Sequence, residues 1–219
     1  MKTHINLIKQ IVPQKDRVAV AVSMGVDSLA AYFFLKNRGY GVFPIHFNHK
    51  LREQNDVMEK KFLELNISGS KIGCFNGNGG TESDFREARF DFFRKVCEET
   101  GCKYVITAHH LDDCVESYLL NCFRGHPEYK PMSLATKFDG FSVLHPFLLT
   151  EKQDFIDYVQ KYDLARYVVA DETNDVIKGS RRNWVRNVII PEMESQKLSL
   201  KKYCKRLINS ELEKFQVEF

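Results

Sequence analysis

The chain has 219 residues, 43% hydrophobic and 28% charged, with a formal net charge of +3. This suits one good-sized domain with a short appendage and excludes a polycation, so any nucleic-acid contact has to come from a local basic patch. No apolar run approaches the ~20 residues of a membrane span. The lysine-bearing residues 1–11 are not a signal peptide, and six cysteines without a Cys-x-x-Cys argue against a zinc ribbon or thioredoxin site. The expectation is a cytoplasmic protein with reduced thiols and no membrane partner.

Residues 17–22, Arg-Val-Ala-Val-Ala-Val, are β-rich and stop at Ser23, which predicts a buried strand. Residues 28–38 carry helical periodicity, and Gly39 supplies the C-terminal stop. Residues 42–47 predict a second strand, followed by a polar loop, a helix over 56–65 and a third strand over 71–75. After a glycine-rich turn at 76–80, Thr81 and Asp84 form a helix-opening box, and the helix runs to Gly101. A short strand over 104–107 and a helix over 112–123 come next. A strand over 141–144 leads to a helix opened by Thr150 and Gln153 that ends near Tyr162. Val168 and Val169 are a further strand candidate, and the tail from Arg181 reads as helical with a break at Pro191.

Strands alternating with helices predict an α/β fold with a doubly wound, mostly parallel sheet. Polar residues 174–180 mark a boundary between a domain over 1–180 and a helical C-terminal extension over 181–219.

Chemistry concentrates where strands hand over to helices, the usual ligand crevice of open α/β sheets. The first such loop is Ser23, Met24, Gly25, Val26, Asp27 and Ser28. Small residues let the backbone approach a phosphate, and helix-start N–H groups with the helix dipole would bind it. There is no Gly-Lys-Ser/Thr and no G-x-G-x-x-G, so neither a Walker loop nor a dinucleotide fingerprint is present. An ordinary turn capped by Ser23 or Asp27 is the alternative.

The stretch His46-Phe47-Asn48-His49-Lys50-Leu51-Arg52 ends the second strand. Arg86-Glu87-Ala88-Arg89 sits early in a helix, where a guanidinium fork at Arg89 would suit oxyanions. His109-His110-Leu111-Asp112-Asp113-Cys114-Val115-Glu116 is the densest polar cluster. Asp113 and Glu116 are three apart and share a helical face, so they can hold an ammonium group, a Mg²⁺, or both. First-turn acids favoured by the helix dipole, or a metal hydrolase site, are the competing readings. Asp171-Glu172-Thr173-Asn174 and Arg182-Asn183-Trp184-Val185-Arg186 follow. Lys197, Lys201 and Lys205 then repeat at i,i+4 beside Lys202 and Arg206, a stripe that could follow a phosphate backbone or face solvent.

Taken in order, these motifs resemble the tRNA(Ile)-lysidine synthetase family of PP-loop ATP pyrophosphatases, over roughly residues 17–191. The first loop resembles the PP-loop signature S-G-G-x-D-S, with Met24 in place of the first glycine. A positive φ there would cost methionine roughly 1–2 kcal/mol, and its side chain would stand beside the phosphates. The other stretches resemble the family's His-Val-(Asp/Asn)-His-x-Leu-Arg, Glu-Ala-Arg, His-His-x-Asp-Asp-x-x-Glu, Asp-x-(Ser/Thr)-Asn and Arg-Asn-x-(Ile/Val)-Arg elements.

The resemblance implies the PP-loop (adenine nucleotide alpha hydrolase-like) fold, with ATP and Mg²⁺ as cofactors. It implies nucleotide binding by residues Ser23 through Ser28 with His46 and Asn48, and Mg²⁺ at Asp27 and Asp113. His109 would contact the reacting adenylate, Arg89 would aim its guanidinium at phosphates, Asp113 and Glu116 would receive lysine, and Arg182 would meet phosphates or the target nucleotide. The implied partners are free L-lysine and an isoleucine tRNA with a CAU anticodon. A tRNA thiolase or amidotransferase of the same superfamily stays open as an alternative, with Cys114 the one candidate sulfur carrier, as does a non-catalytic nucleotide- or RNA-binding relative.

Overall fold

The computed structural model describes residues 5–12, 14–77, 79–128, 132–169 and 181–218. Six strands form one sheet among them: β1 (Val18–Ala21), β2 (Val42–Asn48), β3 (Lys71–Cys74), β4 (Tyr104–Ile106), β5 (Ala135–Phe138) and β6 (Phe141–Leu144). Their order is β3-β2-β1-β4-β6-β5, with every pairing parallel except the β5–β6 hairpin. The mostly parallel, doubly wound sheet expected from the alternation of elements is therefore present.

Side chains of a strand alternate between faces, so a sheet covered on both sides sorts them into two cores. Val18, Val20, Ile106 and Leu144 enter one core, while Ala19, Val105, Phe141 and Val143 enter the other. The first core lies under α1 (Ile5–Ile11), α2 (Val26–Asn37), α5 (Leu111–Phe123), α6 (Lys152–Lys161) and α9 (Lys201–Glu218). The second is covered by α4 (Glu82–Thr100) through Phe93, Val96 and Cys97. Helix α3 (Glu53–Glu64) sits beside β2 and buries Phe62.

Two elements were not foreseen. Leu7, Ile8, Ile11 and Val12 are all buried, and their spacing makes one apolar face, which docks α1 onto the first core. Strand β5 is the antiparallel edge partner of β6 across Asp139 and Gly140, where Gly140 takes φ 80°. An Asp-Gly pair is a strong hairpin signal.

Three expectations are corrected. Val168 and Val169 are not a strand: they follow a 3-10 turn (Ala165–Tyr167), and the Val169 N–H donates to the Met24 carbonyl at 2.9 Å. The cap of α6 is Glu151 with Asp154, not Thr150 with Gln153. Pro191 does not break the C-terminal run. Helix α7 (Arg181–Trp184) passes into a π turn (Val185–Ile189) and then α8 (Ile190–Ser195), with the proline in the first turn of α8. Proline is accommodated because the π turn just before it already departs from the regular i→i−4 hydrogen-bond ladder. The boundary at 174–180 and the Asp171-to-Asn174 motif lie outside the described residues.

Candidate active site

The loop between β1 and α2 is closed on itself. The Ser23 N–H donates to Ser28 Oγ at 3.1 Å, and Ser28 Oγ–H donates to the Gly25 carbonyl at 3.0 Å. Met24 adopts φ 66°, the left-handed conformation the glycine signature calls for. Its side chain is 0% exposed and lies in the first core, so it does not stand beside the phosphates as expected. Gly25 is the N-cap of α2 and offers no side-chain acceptor. The first-turn N–H donors of α2 therefore keep their capacity for an anion.

Asp27, in that first turn, accepts from Lys152 Nζ at 2.6 and 2.7 Å. Burial pushes its carboxyl up, but His110 and Lys152 outweigh burial and hold it below the usual value. His110 Nε2 lies 3.7 Å from Asp27 and 3.5 Å from Asp113, so both carboxylates converge on one imidazole. Burial pulls His110 down, yet the surrounding aspartates more than compensate and raise it. Among the described residues no group of three or more His, Cys, Asp or Glu is arranged to hold a metal ion. A Mg²⁺ at Asp27 and Asp113 would have to arrive with phosphate ligands, the ordinary way this ion is bound.

Asp113 caps α5 by accepting from the His110 N–H at 3.0 Å. Glu116 is 1% exposed and is gripped by two arginines: Arg182 Nε at 3.0 Å and Arg186 NH2 at 2.9 Å. Arg186 also reaches Asp113 at 3.5 Å, and Arg182 donates to Ser117 Oγ at 3.1 Å. The carboxylate pair expected to face an ammonium thus faces guanidinium groups.

Beyond α5 a cleft of about 780 Å³ opens between α4 and the ends of β4, β5 and β6. His109, Arg89, Arg182, His49 and His145 line it, with Phe85 and Phe90. His109 Nδ1 is 2.8 Å from Thr107 Oγ1, and its ring packs on His145 at 5.0 Å. Burial pulls His109 down to about 4 and His145 to about 3, so both are neutral at pH 7. Arg89 Nε, His49 Nδ1 and His145 Nδ1 are buried without a hydrogen-bond partner among the described residues. Burial also lowers Arg89, with Arg86 adding like-charge repulsion.

His46 and Asn48 look elsewhere. His46 Nδ1 meets the Val22 carbonyl at 2.7 Å and its ring stacks on Phe62. Asn48 gives its amide to Asp56 and Glu59 at 2.9 and 2.6 Å. Cys114 is fully buried in the first core with Cys204, away from the cleft lining.

Two lysines of the stripe are consumed inside the molecule, while Lys197, Lys202 and Arg206 are exposed. Lys201 pairs with Asp112 at 3.1 Å and Lys205 with Glu151 at 2.9 Å, which docks α9 on α5 and α6. Lys197 lies outside α9, in the turn before it. Sequence reasoning missed His145 and Lys152. A polar residue at the carboxyl end of a buried strand marks His145, whereas the position of Lys152 follows from packing alone.

The chain is 30% identical to the bifunctional protein TilS/HprT of Listeria monocytogenes, over 94% of this chain and 34% of that protein. It is 30% identical to the tRNA(Ile)-lysidine synthase of Streptococcus sanguinis, over 91% of this chain and 47% of that one. It therefore spans a third to a half of the length of these curated relatives. Among solved structures, the U34-tRNA thiolase NcsA of Methanococcus maripaludis with its [4Fe-4S] cluster superposes with a TM-score of 0.67. That match has 16% identity and covers 93% of this chain and 77% of the other; likeness at that level speaks for the fold alone. Residues 1–193 match the model of the PP-loop domain, and the chain belongs to that family.

Proposed function

We propose that this protein is an ATP-dependent tRNA-modifying ligase that adenylates C2 of an anticodon cytidine and joins lysine to it. The observation that carries the reading is that Arg89, whose Nε is buried without a hydrogen-bond partner among the described residues, lines the same cleft as His109 and Arg182. A cation desolvated without an acceptor is costly unless an anion arrives to meet it. The relatives named tRNA(Ile)-lysidine synthase supply the substrate class.

In the proposed reaction the cytidine O2 attacks the α-phosphorus of ATP, and pyrophosphate leaves toward the loop at Ser23 through Ser28. The lysine ε-amine then attacks C2, AMP leaves with the former O2, and the amine nitrogen releases a proton. The N–H donors at the start of α2 would receive the departing phosphates. Arg89 and Arg182 would offset charge on the α-phosphate. Mg²⁺, held by Asp27 and Asp113 with the nucleotide, would supply Lewis-acid charge stabilisation.

His109, neutral and oriented by Thr107, would hydrogen-bond the reacting group rather than add a charge. The incoming lysine ammonium would share Asp113 and Glu116 with Arg186 and Arg182. Most of the rate gain would come from positioning.

The test is pyrophosphate release from Mg-ATP, with and without lysine and an unmodified isoleucine tRNA bearing CAU. Release that needs the RNA, with lysine incorporated into it, is the expected result. Release with RNA but indifferent to lysine would move the assignment to another nucleophile, as in a thiolase or amidotransferase. No release in any combination would leave a nucleotide- or RNA-binding relative.

A further inference from the structure

The cleft under α4 continues past the proposed reaction centre. A second cleft of about 550 Å³ is lined by Leu120, Asn121, Arg124 and Arg181, and it shares Glu82, Ser117 and Arg182 with the first. Two aromatic side chains stand out nearby at the exposed ends of these same elements. Phe123 closes α5 and Trp184 closes α7; they are 56% and 44% exposed, and their rings touch at 5.7 Å with an interplanar angle of 46°. Val188, four residues beyond Trp184, is exposed as well. Exposed aromatics of this size in mutual contact are an unusual use of surface unless something covers them.

Charge narrows the occupant. Arg124 and Arg181 flank the pair in sequence, both are exposed, and neither forms an ion pair among the described residues. Among the described residues, Glu82 is the one acidic residue lining this second cleft. Planar π surfaces interleaved with unpaired arginines suit single-stranded nucleic acid, whose bases stack while its phosphates meet guanidinium groups. Phe123 lies seven residues beyond Glu116 on α5, about 10 Å by helical rise. That is a short step along a nucleotide chain from the carboxylates of the proposed site.

We infer that Phe123 and Trp184 form a stacking platform for unpaired bases flanking the target nucleoside, with Arg124 and Arg181 on the adjoining phosphates. This rests on the tRNA reading above and adds a binding subsite to it. Neither aromatic takes part in the proposed chemistry. Their role is to hold the RNA strand so that one nucleoside enters the cleft at His109.

Trp184 is the only tryptophan of the chain, so its fluorescence reports the platform directly. The experiment titrates the protein with an unmodified isoleucine tRNA transcript and, separately, with heparin as a base-free polyanion. Trp184 emission, RNA affinity at several salt concentrations and pyrophosphate release are read on the same samples. The tRNA should quench Trp184 and heparin should not. Phe123→Ala with Trp184→Ala should weaken tRNA binding by about tenfold, with the log–log salt slope unchanged because no phosphate contact is lost. Trp184→Phe should restore most of the affinity, and Arg124→Ala should instead flatten the slope. RNA-dependent pyrophosphate release without quenching, and with the double variant binding as wild type, would overturn the platform and leave the enzyme reading standing. Failure of the wild type to bind tRNA at all would remove both.

Discussion

The β1–α2 loop and the cleft beneath α4 lie along the same sheet edge, yet they treat polar groups in opposite ways. The loop satisfies itself: Ser23 and Ser28 bond each other and Gly25, and Val169 straps the Met24 carbonyl. The cleft leaves Arg89 Nε, His49 Nδ1 and His145 Nδ1 buried and unmatched. Folding alone accounts for the first arrangement. The second leaves desolvated polar groups in place, which native proteins seldom do without a partner in another state. The loop is therefore a scaffold whose donors point outward from a finished turn, and the cleft is completed only by what enters it.

The strongest way to break this contrast is Arg89→Met. If the cation exists for a ligand, RNA-dependent pyrophosphate release should fall by about 10²–10³-fold. Stability should change little, because Arg89 makes no ion pair among the described residues and methionine keeps an apolar stem of similar length beside Phe90. Thermal melting and a single-turnover assay read both. A drop in melting temperature beyond about 4 °C, roughly 1 kcal/mol, would make Arg89 a structural residue and dissolve the contrast.

The histidines sharpen the same comparison at a smaller scale. The folded pKa of His109, about 4, and that of His145, about 3, lie below the ordinary value of 6.5. Folded, these rings bind fewer protons than they do unfolded, so stability rises with pH across the interval from 4 to 6.5. Acidifying through that window should therefore remove stability contributed by the two cleft histidines together. His110, raised by Asp27 and Asp113 despite its burial, acts in the opposite sense: its contribution is full below 6.5 and is lost as pH climbs through its folded value. Denaturant midpoints from pH 7 to 4.5 should fall steeply in the wild type and less steeply in His145→Gln. Equal slopes would mean that His145 is solvated and not part of a dry cleft.

How far the sequence revealed these two regions follows from what each depends on. Strand alternation sorts Val18 and Val20 from Ala19, a local signal, and the loop at Ser23 through Ser28 follows from its place after β1. The four motif histidines and acids also land at the carboxyl edge because that edge is where the strands end. Even β5 and α1 carried local signals, in Asp139-Gly140 and in the spacing of Leu7, Ile8, Ile11 and Val12. What could not be read is pairing across the fold. Glu116 meets Arg182 from 66 positions away, and Lys201, part of an apparent phosphate-binding stripe, is taken by Asp112 and Glu151. A lysine stripe looks the same in sequence whether its partners are water, RNA or its own protein, so only packing decides.

Met24→Gly tests the scaffold half of the contrast and should have the smallest effect on function. Glycine relieves a left-handed residue at φ 66°, a gain of roughly 1 kcal/mol. It also deletes a fully buried side chain from the first core, and large-to-small changes of that kind cost about 2–5 kcal/mol. The loss outweighs the relief, so the variant should be less stable by about 1–4 kcal/mol in a denaturant titration. Its affinity for ATP or pyrophosphate should change by less than about threefold, under 1 kcal/mol, since the side chain points into the core and the backbone already has the geometry glycine would adopt. Tightening by tenfold or more would mean that the methionine crowds the phosphates after all. The loop would then be as unfinished without its ligand as the cleft beside it.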